Sequence, residues 1–268
     1  MLRPPAVAGR FYPAQPDKLV EALQGYVDGI EPRTQAIGIV VPHAGYMYSG
    51  HVAGAVYSRV AIPRRSIVLC PNHTGYGPPL SIMKSGAWQT PLGEMKIDQE
   101  LCEMLMAMDP DLEDDEEAHR FEHALEVQLL FIQHTAGTSA EFVPITIGTG
   151  DWRRLEQLGR AIAGVLQKLA EGALIIASSD MNHYESDAIT RVKDRMAIDK
   201  ILGMDPAGLF KVVHDESISM CGYGPASAML VASKMLGASK AELVRYATSG
   251  DVSRDFDRVV GYAGIVIT

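Results

Sequence analysis

The sequence holds little of what marks whole classes of protein. Its three cysteines, Cys70, Cys102 and Cys221, stand far apart with no CxxC pair, so a disulfide framework is not expected and a reducing compartment fits. No apolar run reaches the roughly 18 residues a membrane helix needs, and the opening MLRPPAVAGRFYPAQ lacks the apolar core of a signal peptide. A soluble, cytoplasmic protein with no membrane partner is the expectation. Basic side chains number 24 against 33 acidic ones, a net charge of -9 with no Lys/Arg-rich block. That balance argues against a nucleic-acid partner, which would call for clustered positive charge. No G-x-G-x-x-G follows a strand pattern and no Walker pattern occurs, so phosphate-cradling loops are excluded as well. Ser178 and Ser179 lack G-x-S-x-G flanks, which weakens a serine-hydrolase reading. Internal repeats and low-complexity linkers are absent.

What remains is a chain of 268 residues, 47% hydrophobic and 21% charged, enough for one large domain spanning 1–268. Short β-branched runs at 36–42, 66–71, 141–147, 173–178, 242–247 and 259–267 predict strands. Three- and four-residue apolar spacing predicts helices at 16–29, 50–60, 98–107, 122–134, 151–170, 188–201, 205–213 and 224–236. This alternation predicts an α/β fold with helices on both faces of a mixed, largely parallel sheet. The acidic stretch DPDLEDDEEAHRFEH (109–123) reads as a solvated face at the start of a helix.

The strand pattern gives meaning to three histidines. IVVPHAGYMYSG, SIVLCPNHTGYG and ALIIASSDMNHYE each run from a strand into a glycine- or serine-rich exit carrying His43, His73, or Asp180 with His183. In open α/β sheets ligands bind outside the carboxyl ends of the strands. Residues distant in sequence can therefore share a cleft, and neutral imidazoles at neighbouring exits make a first shell for a transition metal. Cys221, just before the helix pattern GPASAMLVASKML, lies near a helix N-terminus. The dipole there would lower its pKa and favour ligation or nucleophilic chemistry. Cys70 and Cys102 read as core thiols, and His51, His134 and His214 as ordinary helical or surface residues. A competing signal is HRFEH, His119 to His123, the H-x-x-E-H spacing of a zinc hydrolase. It lacks a recognisable third ligand downstream.

Taken together, RPPAVAGRFYP, VPHAGYMYSG, PNHTGYG, EHALEVQLLFI, SSDMNHYE, CGYGP, YATSGDVS and VVGYAGIVI resemble the Memo family, protein B of the AmmeMemoRadiSam system. The resemblance implies a three-layer α/β/α fold similar to the LigB-type extradiol dioxygenases, which hold a non-haem Fe(II). By the same resemblance, His43, His73 and Cys221 match metal ligands, Cys221 standing where the dioxygenases have a carboxylate, and His183 matches the acid/base histidine with Asp180 beside it. Glu122 and His123 would line or support the cleft. Tyr46, Tyr48, Tyr76 and Tyr223, in glycine-rich loops that suit contacts to a bound peptide or partner, are cleft candidates from the residues themselves, as is Asn72. A thiolate is softer and more easily oxidised than a carboxylate, so Cu or Zn would also suit the set and dioxygenase activity does not follow from the fold. The implied function is a metal-binding oxidoreductase acting on a small-molecule or peptide ligand. A non-catalytic binding module and an HRFEH hydrolase are the alternatives. Radical-SAM and AMMECR1-like proteins are the implied pathway partners.

Overall fold

The computed structural model of the protein describes residues 1–29, 32–137 and 139–268. Its strands, in chain order, are β1 (Leu2–Arg3), β2 (Gly38–Val41), β3 (Arg65–Pro71), β4 (Leu80–Ile82), β5 (Ala87–Thr90), β6 (Gly93–Ile97), β7 (Glu113–Asp114), β8 (Glu141–Ile147), β9 (Leu174–Ser178), β10 (His183–Glu185), β11 (Ala241–Thr248) and β12 (Val259–Ile267). The helices are α1 (Pro16–Tyr26), α2 (Tyr46–Arg59), α3 (Gln99–Met108), α4 (Glu117–Arg120), α5 (Glu126–Ala136), α6 (Trp152–Leu166), α7 (Asp187–Leu202), α8 (Pro206–Asp215), α9 (Tyr223–Met235) and α10 (Gly250–Ser253). Every expected strand and helix is present, with shifted ends. The strands not expected from sequence are short pieces such as β5 (AWQT) and β10, which carry no apolar run long enough to read.

One mixed sheet runs in the order β1-β5-β6-β8-β3-β9-β2-β12-β10, with β11 beside β12 and β4 beside β7 and β8. Its centre, β8-β3-β9-β2, is parallel, with Val41 opposite Ser178, Leu69 opposite Ala177 and Pro71 opposite Ile147. These strands are buried almost throughout, as their Val- and Ile-rich composition requires of parallel strands covered on both faces. Helix α9 lies on β2, β3 and β9, backed by α6 and α8, and α3 packs on α6. Helices α1, α2 and α5 pack together in the other layer, with α2 against β2, β11 and β12. The result is the expected three-layer α/β/α arrangement. Aspartates mark several helix starts: Asp98, Asp151 and Asp205 accept from Leu101, Arg153 and Gly208 backbone N–H groups at the heads of α3, α6 and α8.

Two local expectations need correction. The stretch 109–123 is not one solvated face: Glu113 and Asp114 form an exposed strand on β4, while Asp109, His119 and Glu122 are fully buried. The helix expected over 122–134 begins only at Glu126, leaving Glu122 to Leu125 as a loop. Helix α5 is then buried without interruption from Glu126 to Gln133, so its apolar pattern carries no amphipathic period to fix its start.

A buried acid between α7 and the sheet makes stability pH-dependent. Asp194 accepts from the Asn182 backbone N–H (2.8 Å) and Tyr246 Oη–H (2.7 Å), and burial pushes its pKa up to about 7. The native state then holds a proton that the unfolded chain has released, so this group's contribution falls as pH rises from the ordinary carboxylate range to about 7. Asp194→Asn is expected to remove that slope, raising the melting temperature relative to wild type progressively between the ordinary carboxylate range and neutrality, and leaving it near wild type only at pH about 4 and below.

Candidate metal centre

Because β2, β9 and β3 are parallel neighbours, their carboxyl ends open side by side, and His43, Asp180 and His73 each stand two residues past their strand. The three-way imidazole group is completed by His123, from the loop before α5. Ring centroids lie 5.2 Å apart for His43 and His73, 5.4 Å for His43 and His123, and 4.7 Å for His73 and His123. One ring nitrogen from each lies within 4.8 Å of the others.

Hydrogen bonding decides which nitrogens face inward. Ser178 Oγ donates its single proton to the Ala124 carbonyl (2.6 Å) and accepts from Gln128 Nε2 (2.9 Å). His43 Nδ1, 3.0 Å from the same oxygen, must therefore donate, which leaves its Nε2 unprotonated and facing the Cys221 thiol at 3.2 Å. Gln128 is itself fixed by donating to the Pro42 carbonyl (2.9 Å) and accepting from Tyr57 Oη–H (3.2 Å). Glu122 does the same for His73: its Oε1 accepts from His73 Nδ1 (2.9 Å) and its Oε2 from the His73 backbone N–H (2.6 Å). His123 Nδ1 stands 3.4 Å from Glu122 Oε1. A carboxylate or hydroxyl holding Nδ1 while Nε2 points into a cleft is the arrangement seen behind metal-ligating histidines.

Electrostatics keep most of the group neutral. Burial lowers His43 to about 3 and His123 to about 4. Burial acts against the charge on His73 too, but the Glu122 hydrogen bond and carboxylate outweigh it and raise that pKa. Glu122 is fully buried; burial would raise it, yet hydrogen bonds from His73 and Ala124 and the neighbouring imidazoles bring it to about 2.

The other sequence-predicted residues divide. Cys221 reaches the group from the α9 side, its Sγ 3.2 Å from His43 Nε2 and 3.7 Å from the Asp180 carbonyl. It sits before an α9 start, as expected, but its pKa runs opposite to the expectation: although part of its surface stays accessible, burial and the Asp180 carboxylate push the thiol well up. Asp180 Oδ1 accepts from His43 and Ala44 backbone N–H groups (2.8 and 3.3 Å), and Oδ2 lies 4.0 Å from His43 Nε2. His183 opens β10 with Nδ1 2.7 Å from the Ser219 carbonyl. Tyr46 belongs to the core, its hydroxyl donating to the Val127 carbonyl (2.6 Å) and its ring against Phe131. Tyr223 packs on Phe210 and His214, Tyr48 on the small cluster around Tyr262. Asn72 braces its own turn, accepting from Thr74 and Gly75 and donating to the Tyr76 carbonyl. Sequence reading missed Gln128 and Ser178. A glutamine amid the apolar run LEVQLLFI was the available signal for the first.

HRFEH does not form a zinc site. Helix α4 ends at Arg120, so His119 and His123 do not share a helical turn. His119 is fully buried, bonded through Nδ1 to Thr146 Oγ1 (3.0 Å) and held by burial at a pKa of about 3. Its partner Glu122 serves His73.

Close approach of α9 to β9 depends on Gly222. A Cβ there would overlap the Ser179 side chain and stand 2.5 Å from the Ser178 carbonyl. Gly222→Ala is expected to cost about 1–3 kcal/mol and to move Cys221 away from His43. Chemical denaturation and the rate of Cys221 alkylation check both effects.

The Memo-like protein family model matches residues 3–266. The chain belongs to the Memo family. Among relatives, a MEMO1 family protein of Methanopyrus kandleri is 43% identical over 279 residues, covering 99% of each chain. Another from Methanosarcina barkeri is 43% identical over 267 residues, covering 99% of this chain and 100% of its own. A third, from Pyrobaculum aerophilum, is 44% identical over 277 residues, covering 99% and 98%. The span matched by the family model takes in His43, His73 and His123, and no helix among the described residues is long and apolar enough to cross a membrane.

Proposed function

We propose that this Memo-family protein binds a transition metal, Fe(II) foremost with copper or zinc as the alternatives, and that with iron or copper it carries out oxidoreductase chemistry on a small molecule or peptide in the cleft. The observation that carries the reading is the set of three imidazoles whose ring nitrogens converge within 4.8 Å. Two of them, His43 and His73, have Nδ1 held by Ser178 and Glu122. Converging imidazole nitrogens fit a borderline metal, and a sulfur beside them favours iron, copper or zinc over magnesium or calcium.

In this reading His43, His73 and His123 hold the ion and Cys221 flanks it as a softer donor that gives up its thiol proton on ligation. A bound iron or copper ion would supply reversible one-electron redox capacity. Glu122 keeps His73 and His123 oriented, and Asp180 anchors the His43–Ala44 turn through two backbone N–H groups. His183 presents Nε2 to accept or return a proton at the substrate, because its Nδ1 is committed to the Ser219 carbonyl. A radical-SAM protein and an AMMECR1-like protein are the partners this reading implies.

Untagged protein purified anaerobically, with metal quantified and examined by electron paramagnetic resonance, tests the reading. Iron or copper near one equivalent and oxygen uptake with catechol-like substrates are expected. Metal at background level would overturn it, and metal without any turnover would leave a binding module.

A further inference from the structure

Asn182 is fully buried between Asp180 and His183 and uses every polar atom it has. Its backbone N–H donates to Asp194 Oδ1 (2.8 Å) and its carbonyl accepts from Gly261 N–H (2.9 Å), tying the segment to α7 and β12. The side chain is oriented by its neighbours. Glu185 is acceptor-only, so Nδ2 faces its Oε2 (2.7 Å) and Thr190 Oγ1 (3.3 Å). Oδ1 then accepts from Ser219 N–H and Ser219 Oγ–H, both at 3.0 Å. Six hydrogen bonds meet on one residue, and two of them hold a loop 37 positions away.

That loop bears on two cleft groups. The Ser219 carbonyl is the partner of His183 Nδ1 (2.7 Å), and Ser219 Oγ accepts from the His183 backbone N–H (2.7 Å). A carbonyl only accepts, so its position dictates that His183 carries its proton on Nδ1 and offers Nε2 to the cleft. Two residues further on is Cys221, with Sγ 3.2 Å from His43 Nε2. Next to His183, Tyr184 holds a left-handed backbone (φ 62°) at a register shift between β10 and β12, strain that the surrounding hydrogen bonds have to sustain.

We propose that Asn182 is a positioning residue: its carboxamide pegs the Ser219–Cys221 loop against the β9 exit, and through it sets both the tautomer of His183 and the approach of Cys221 to His43. The functional meaning of this peg rests on the metal-site reading above, but the peg itself acts in metal-free protein and is tested there.

The experiment is nitrogen-15 NMR of the histidine rings in metal-free protein at alkaline pH, with the rate of Cys221 alkylation measured alongside. In the wild type His183 shows one tautomer, protonated at Nδ1. In Asn182→Ala a mixture of both tautomers at His183 and a severalfold faster alkylation of Cys221 are expected. His43 keeps its Nδ1–H signature because Ser178 holds it from the opposite side, which separates loss of the peg from general loosening. Asn182→Leu, of similar size, is expected to behave like the alanine variant because it cannot accept from Ser219 N–H and Oγ–H. A purely space-filling role predicts wild-type behaviour instead. If Asn182→Ala does not fold, Ser219→Ala takes its place, since it removes the hydroxyl shared by Asn182 and His183 while keeping the carbonyl. A minor second tautomer supports the proposal. A folded variant in which His183 stays wholly in the Nδ1–H form overturns it, and that result would leave metal binding untouched. Failure of the wild type to bind metal would leave the tautomer result standing.

Discussion

Changing His73 to alanine is expected to weaken metal binding by more than 100-fold, measured by chelator competition on anaerobic protein. Loss of an outer-shell partner alone typically costs roughly 10–100-fold, and His73 presents its lone pair directly to the cleft while Glu122 holds the other nitrogen. Glu122→Gln should fall in that smaller range, because an amide still reaches His73 but cannot accept equally from His73 Nδ1, His73 N–H and Ala124 N–H as the carboxylate does. His43→Ala should match His73→Ala. His119→Ala provides the contrast: its ring bonds to Thr146 in the core, so it is expected to lose stability and keep the metal. An HRFEH hydrolase predicts the reverse, with metal lost from His119→Ala and retained in His43→Ala.

The largest stability effect is expected at Glu126. Its carboxylate accepts from Arg3 Nη1 (2.5 Å), the Ala6 and Val7 backbone N–H groups (2.7 and 3.1 Å) and Tyr12 Oη–H (2.5 Å). Arg3, 3% exposed, spends its other nitrogens on the His119 carbonyl (2.8 Å) and the Glu122 carbonyl (2.7 Å), with its guanidinium 3.9 Å from the Trp88 ring centre. Glu126→Ala strands that buried cation, and breaking one side of a buried pair costs about 3–5 kcal/mol. For a domain of this size the melting temperature should fall by roughly 6–20 °C. Replacing both partners, as in Arg3→Met with Glu126→Leu, is expected to recover much of the loss, since no unpaired charge remains. The same cluster ties the first dozen residues to the loop that carries Glu122 and His123. Glu126→Ala should therefore also weaken metal binding, although the residue touches no imidazole of the group. A melting temperature within a degree or two of wild type would contradict this account of the N-terminal segment.

How much of this was legible in the sequence depended on how local the physics is. The central strands are continuous Val/Ile runs because both of their faces are covered, and that made β2, β3, β8 and β9 readable. Once those strands were placed, the exits carrying His43, His73 and Asp180 followed from parallel topology. Strands β4 to β7 and β10 were not readable, since two to five residues carry no period and are held by neighbours distant in sequence. His123 as a member of the imidazole group depended on α5 starting at Glu126, and a helix buried on all sides conceals its own start. Gln128, Ser178 and Asn182 act by what they meet across the core, which no spacing encodes. The Cys221 thiol shows competing terms directly: the helix N-terminus argued for a lowered pKa, and burial beside Asp180 won.

The central claim is that strand exits far apart in the chain bring lone pairs from His43, His73 and His123 to one point. Anomalous diffraction from crystals soaked anaerobically with Fe(II) tests it most directly. One dominant peak within bonding distance of Nε2 of His43 and His73 is predicted. A peak elsewhere, or none at this group while iron binds at His119 or on the acidic surface, would contradict it.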